Sequence, residues 1–255
     1  MIDWVFLDVG NVLFNDDPQN YEAYRLLYDT LRVRHPSYSF DALLAEREER
    51  ARNGANFILH AVARQMLPED EAKFALRNIR ELLVTRYDRH HFWNERHRAV
   101  LEQLRSRWRL GIIANQPVEC RNSLMQRRLL EYFEIVAISD ERHLHKPDLA
   151  LYEWALHESG SEPARTVMIG DRRDNDIDPA NRLGMRTILL GWPDCRSKGW
   201  FPEDPLAAAF LDSCDRVPLF SAVPVGKEPD LTIASLEEAP AAVAELAGSD
   251  GPRTV

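Results

Sequence analysis

Five short apolar runs recur along the chain: Trp4–Leu7, Leu110–Ile113, Ile135–Ile138, Thr166–Ile169 and Thr187–Leu190. Polar residues or glycine bound each run, and each adjoins a stretch with helical spacing. Runs this short and this uniformly apolar read as strands buried on both faces. Strands alternating with helices predict an α/β fold: a parallel sheet covered by helices on both sides. Ligands of such sheets bind outside the carboxyl ends of the strands. Polar residues at those ends therefore carry the most weight. The segment Pro229–Ile233 reads as a last short strand, and Ser235-Leu236-Glu237-Glu238 as the start of a helix with a capping-box pattern.

The spacing of the runs is uneven. Between the first two lies a long excursion rich in Leu, Ala, Arg and Glu at helical spacing and punctuated by Pro36, Gly54 and Pro68. It is too long for one crossover helix, so residues 15–98 are expected to form an inserted helical domain, with residues 1–14 and 99–247 forming the core. After Leu190 the sequence turns proline-rich, with Pro193, Pro202, Pro205, Pro218 and Pro224. Residues 192–228 are expected to be a loop-like extension of the core, and residues 248–255 a flexible tail.

Composition excludes several classes. The chain has 255 residues, 45% hydrophobic and 29% charged, enough for one large core with a smaller inserted domain. The net charge of -9 argues against nonspecific binding to nucleic acid or an acidic membrane. No apolar stretch approaches the roughly 18 residues of a membrane span. Cys120, Cys195 and Cys214 fit neither a zinc spacing nor a disulfide framework. They read as reduced thiols in a cytoplasm. The short apolar run after Asp3 lacks the basic flank and the length of a signal peptide. The basic run Arg121–Arg128 reads as a solvated helix face, and most tryptophans as packing residues.

Four strand ends carry polar residues. Asp8 follows the first strand in Asp8-Val9-Gly10-Asn11-Val12. Asn115 follows the second in Ile113-Ala114-Asn115-Gln116. Lys146 stands in His145-Lys146-Pro147-Asp148, beyond the third. Asp171 follows the fourth in Gly170-Asp171-Arg172-Arg173-Asp174-Asn175-Asp176. This order of four motifs, with a helical insertion after the first, resembles the haloacid dehalogenase-like (HAD) superfamily from Trp4 to about Val243.

The resemblance implies a Rossmann-like core, a helical cap and, in most members, phosphoryl transfer through an aspartyl-phosphate. It implies that Asp8 is the nucleophile and Lys146 the balancing cation. Asn115 and Lys146 would bind the phosphoryl group. Mg²⁺ would be held by Asp8, Asp171, Asp176 and the backbone carbonyl of Gly10. The partner would be a small phosphorylated metabolite. The physics agrees with these roles, because phosphoryl transfer demands positioning and neutralised charge. An anionic nucleophile repels a phosphate by roughly 4 kcal/mol per charge pair at about 4 Å and an effective dielectric near 20, so a cation must offset it.

Two positions depart from the pattern. Gly10 stands where phosphatases of the family usually carry an aspartate acting as general acid, a role typically contributing ~10²- to 10⁴-fold. Ala114 stands where Ser or Thr usually binds phosphate, a hydrogen bond of roughly 1.5–3 kcal/mol. Asp16, Asp17, His90 and His91 are candidate replacements for the acid. Arg196 and Lys198, in the extension, are candidate substrate contacts, and the extension is the candidate interface of a homo-oligomer. Two other readings stand beside the phosphatase: a metal-free haloacid dehalogenase, which also lacks the second aspartate, and a degenerate member that only binds a phosphate ligand or a protein.

Overall fold

The computed structural model describes residues 1–55, 57–219 and 226–248. Six parallel strands form the main sheet: β1 (Trp4–Leu7), β2 (Arg109–Ala114), β3 (Ile135–Ile138), β4 (Thr166–Gly170), β5 (Arg186–Leu190) and β6 (Leu231–Ile233). Their spatial order is β3-β2-β1-β4-β5-β6. All five apolar runs are strands, two of them at the expected bounds and three longer by one or two residues. The chain fills one side of β1 with β2 and β3, then returns to its other side with β4. This reversal is the topological switch point that opens a crevice at the strand ends.

Register brings the motif residues level. Leu7 pairs with Ile112 on one side and Ile169 on the other. Asp8, one residue on, donates its backbone N–H to Ile169 O at 2.9 Å. Under the sheet, Trp4 and Phe6 stack at 5.6 Å within a core that includes Ile113, Tyr152, Met168 and Met185. A Cβ on Gly111 would lie 2.4 Å from the Phe6 ring, so only glycine lets β2 pass Phe6 this closely. The helix start expected at Ser235 arrives later. One tight turn, Leu236–Glu238, precedes the α-helix Ala239–Gly248, and the Ser235 side chain caps no backbone N–H.

The chain divides into two compact units, residues 1–15, 93–193 and 222–255, and residues 16–92 with 194–221. The second is helical: α1 (Asp17–Arg34), α2 (Phe40–Arg52), α3 (Ile58–Met66), α4 (Glu69–Thr85) and the helix Pro205–Arg216. They share a core of Tyr21, Tyr24, Leu27, Leu43, Val62, Phe210 and Leu211.

This division corrects the expected placement of residues 192–228 in the core. Residues 194–221 belong to the helical unit, and within them Pro205 opens a helix where loop was expected. Asp204 caps that helix, its side chain accepting from Leu206 N at 2.9 Å, and Pro205 sits at the first position, where its missing N–H is harmless. Phe210, Leu211 and Cys214 then face the helical core. The fully buried Arg47 of α2 ties down the far end, donating to Ser213 O and Val217 O at 2.6 Å each. Pro224, and residues 249–255 of the expected tail, lie outside the described residues. No described helix is long and apolar enough to cross a membrane.

Candidate active site

The carboxyl end of β1 turns sharply. Val9 O accepts the N–H groups of Leu13 and Phe14, both at 2.9 Å, and Asn11 inside the turn has φ 51°. Asparagine tolerates that left-handed conformation better than most residues. Trp192 pins the turn from outside, its indole N–H donating to Asn11 O at 2.7 Å. The turn leaves Asp8 at its base, 8% exposed.

Lys146 reaches this carboxylate from the loop after β3. Its Nζ stands 2.9 Å from Asp8 Oδ1, 2.6 Å from Asp176 Oδ1 and 3.1 Å from Ile113 O. The lysine is positioned by Asn115, at the end of β2. The Asn115 amide donates to Lys146 O and accepts from Lys146 N, each at 2.8 Å. Asn115 was expected to donate to a phosphoryl group. These two bonds hold it to the lysine loop and leave its second amide hydrogen beyond them.

The fourth motif supplies the other carboxylates. After β4 the chain forms a π-helical turn, Arg173–Ile177, of the kind common at functional sites. Asp176 within it is fully buried, and its Oδ2 accepts from Arg172 N at 2.9 Å. Gly170 makes room, since a Cβ there would sit 2.3 Å from Asp176 Cβ and Cγ. Tyr152 holds the turn from below, its hydroxyl donating to Asn175 O at 2.5 Å. Burial, and then the charges of Asp176 and Asp8, push the Tyr152 pKa well above its ordinary value, so it remains a donor. Asp174 turns away and is gripped by Arg172 at 3.0 and 2.5 Å.

Asp8, Asp171 and Asp176 thus converge, with one oxygen of each within 4.8 Å of the others. Three carboxylates gather here around one ammonium in a mostly buried site. Burial, opposed by Lys146 and reinforced by Asp176, raises the Asp8 pKa to about 6. Burial also disfavours the charged form of Lys146, but Asp176 and Asp8 overcome this and hold its pKa above the usual lysine value. A hard divalent cation fits such a cluster in both charge and donor type.

The candidate replacement acids fall in the helical unit. His91 Nε2 lies 3.6 Å from Asp16 Oδ1, and its Nδ1 2.8 Å from Tyr87 O. Asp17 pairs with Lys198 at 2.6 Å, while Arg196 pairs with Asp212 at 2.7 Å. Burial lowers the His90 pKa. Sequence reasoning missed Tyr152, Arg172 and Ser139. Ser139 exchanges hydrogen bonds with the Gln116 backbone at 3.1 and 3.2 Å and fixes the turn after Asn115. Its place directly after the run Ile135–Ile138 was a usable signal. For Tyr152 there was none, because its partner is a backbone carbonyl of the π-helical turn; Arg172 was signalled only by its place between Asp171 and Asp174.

Over 94 residues the chain is 34% identical to the glyceraldehyde 3-phosphate phosphatase of Methanothermobacter thermautotrophicus, covering 36% of this chain and 42% of that protein. Over 91 residues it is 35% identical to the phosphoserine phosphatase of Thermus thermophilus, covering 36% of this chain and 34% of that protein. The alignments therefore span less than half the length of either curated relative. The crystal structure of a haloacid dehalogenase-like family hydrolase from Xanthomonas campestris matches the fold with a TM-score of 0.63 at 15% identity, covering 97% of each chain. The family model for haloacid dehalogenase-like hydrolases matches residues 40–190, more than half of the 255. The chain belongs to the haloacid dehalogenase-like hydrolase family.

Proposed function

We propose that the protein is a Mg²⁺-dependent phosphatase of small phosphate monoesters, with Asp8 as nucleophile. The observation that carries this reading is the convergence of Asp8, Asp171 and Asp176, with Lys146 bound to two of them. Asp8, Asp171, Asp176 and the carbonyl of Gly10 would hold the ion. Bound there, Mg²⁺ would supply the positive charge that lets an anionic ester approach an anionic nucleophile.

The other roles fall to the chain itself. The second Asp8 oxygen attacks phosphorus while the bond from phosphorus to the ester oxygen breaks, and the leaving group departs with that electron pair. Water then attacks phosphorus and breaks its bond to Asp8, releasing phosphate and restoring the carboxylate. Lys146 stays protonated throughout and holds Asp8 Oδ1, so the other oxygen is the one presented. Asn115 fixes Lys146 and binds the phosphoryl group through its remaining amide hydrogen. Gly10 offers no proton to the leaving group, so turnover favours esters whose alcohols leave without one. The helical unit serves as the cap that selects among small substrates. The relatives named for glyceraldehyde 3-phosphate and phosphoserine support this substrate class.

Gly10 also favours the dehalogenase reading, in which Asp8 attacks carbon without metal. Retention of Asp171 and Asp176 weighs against it. The test is phosphate release from an activated aryl phosphate, with Mg²⁺ or with EDTA, by wild type and Asp8→Asn. We expect activity that EDTA abolishes and that Asp8→Asn lowers by about 10³-fold or more. Haloacid turnover indifferent to EDTA would replace this reading. Ligand binding unchanged in Asp8→Asn, with no turnover by either protein, would leave a binding role.

A further inference from the structure

All three cysteines are free thiols, and two of them meet. Cys195 lies near the start of the segment 194–221 that joins the helical unit, and Cys214 in the last turn of the helix Pro205–Arg216. The Cys195 N–H donates to Asp215 Oδ1 at 2.7 Å. Arg196 pairs with Asp212 at 2.7 Å and with Asp215 at 3.5 Å. The tight turn Arg196–Lys198 therefore starts against the residues on either side of Cys214. Within this frame the Cys195 thiol is hydrogen-bonded to the Cys214 sulfur. Both residues are buried, 8% and 6% exposed, in the core that holds Phe210 and Leu211. Cys120 belongs to the sheet unit and takes no part in this pair.

The residues between the two thiols grip the start of α1. Lys198 pairs with Asp17 at 2.6 Å, the Trp200 ring stands 6.2 Å from that of Tyr21, and Asp204 accepts from the Tyr21 hydroxyl. A bond between Cys195 and Cys214 would close this segment into a loop and restrict it in the unfolded chain. We propose that Cys195 and Cys214 are a redox site, which a hydroperoxide converts to a disulfide that staples the base of the segment gripping α1. The peroxide oxidises one sulfur to a sulfenic acid as its O–O bond breaks, and one water leaves. The second sulfur attacks the first, the S–O bond breaks, and a second water leaves. Two thiols thus lose two hydrogens and two electrons, and one hydrogen peroxide becomes two waters. The hydrogen bond to Cys214, and then burial, raise the Cys195 pKa above its ordinary value. Cys195 is thereby a slow nucleophile, so the pair answers to sustained oxidation.

A peptide map of the full chain tests this. Trypsin cuts after Arg186, Arg196, Lys198 and Arg216, so Cys195 and Cys214 fall in separate peptides, residues 187–196 and 199–216. The folded protein is incubated with hydrogen peroxide in modest excess, its remaining thiols are alkylated in urea, and the digest is read by mass spectrometry without reductant. The expected result is a linked pair of these two peptides that dithiothreitol separates, with Cys120 alkylated and the protein running as a single chain on a non-reducing denaturing gel. The melting temperature is expected to rise by about 5 °C or more on oxidation and to fall back on reduction. Cys214→Ser, treated alike, is expected to show neither the link nor the rise. Because the link is read on wild type, the test survives a variant that fails to fold. Both thiols recovered alkylated, or both carried on to sulfinic acids, would overturn the proposal. So would a link between different chains, or a link within one chain that leaves the melting temperature unchanged.

Discussion

The ionisation of Asp8 governs the site without its metal. Its carboxyl has a pKa of about 6 when folded, against an ordinary value of 3.8. A raised carboxyl pKa means the folded state holds the proton more tightly than the unfolded state. No penalty exists below about pH 4; it grows from pH 4 to 6 and is complete above. Asp8→Asn resembles the protonated form. In EDTA the variant should therefore be more stable than wild type above pH 6, by about 1–3 kcal/mol, and about equal to it near pH 4. Denaturant melts of both proteins across that range measure the difference. A difference independent of pH would contradict the assigned ionisation. The residues of this site were legible in the sequence because each stands at or near a strand end, and parallel register forces strand ends together. The partners of Asn115 were not legible. Whether an amide faces a ligand or a neighbouring backbone depends on the path of the Lys146 loop, which no periodicity encodes.

At the scale of elements, the π-helical turn after β4 is the strictest fitting in the sheet unit. It carries Asp176 against Gly170, where a Cβ would stand 2.3 Å away. Gly170→Ala is therefore expected to displace Asp176 rather than to be absorbed. The expected outcome is a stability loss of about 1–3 kcal/mol and Mg²⁺ affinity weakened by about tenfold or more. Calorimetric Mg²⁺ titration and a urea melt read the two separately. Unaltered Mg²⁺ affinity would count against Asp176 as a ligand. The sequence showed the glycine and the aspartate but not the extra residue in the turn between them. Such a turn looks like the start of an ordinary helix. The reverse error befell Pro205. Proline is compatible with the first position of a helix, and here one begins it.

For the whole molecule, the sequence marked two bodies but assigned one segment to the wrong body. Composition after Leu190 suggested surface loop, because the prolines outnumber the apolar periodicity that Ala207, Phe210, Leu211 and Cys214 create. Phe210 is fully buried against Tyr21 and Tyr24, with ring centroids 6.0 and 5.4 Å apart. Phe210→Ala should therefore destabilise the helical unit by about 3–5 kcal/mol. Urea unfolding followed by near-ultraviolet circular dichroism of its aromatic residues would show this. A change below about 1 kcal/mol would mean that the segment merely rests on α1 and α2.

The two-part make-up of the helical unit also bears on how such proteins can be recombined. A graft that moves residues 16–92 alone into another family member would carry a cavity where Phe210 and Leu211 belong. It would also strand the Arg47 guanidinium without the carbonyls of Ser213 and Val217. The module that could be moved intact is thus a pair of separated segments, and a single inserted segment would not carry its own core.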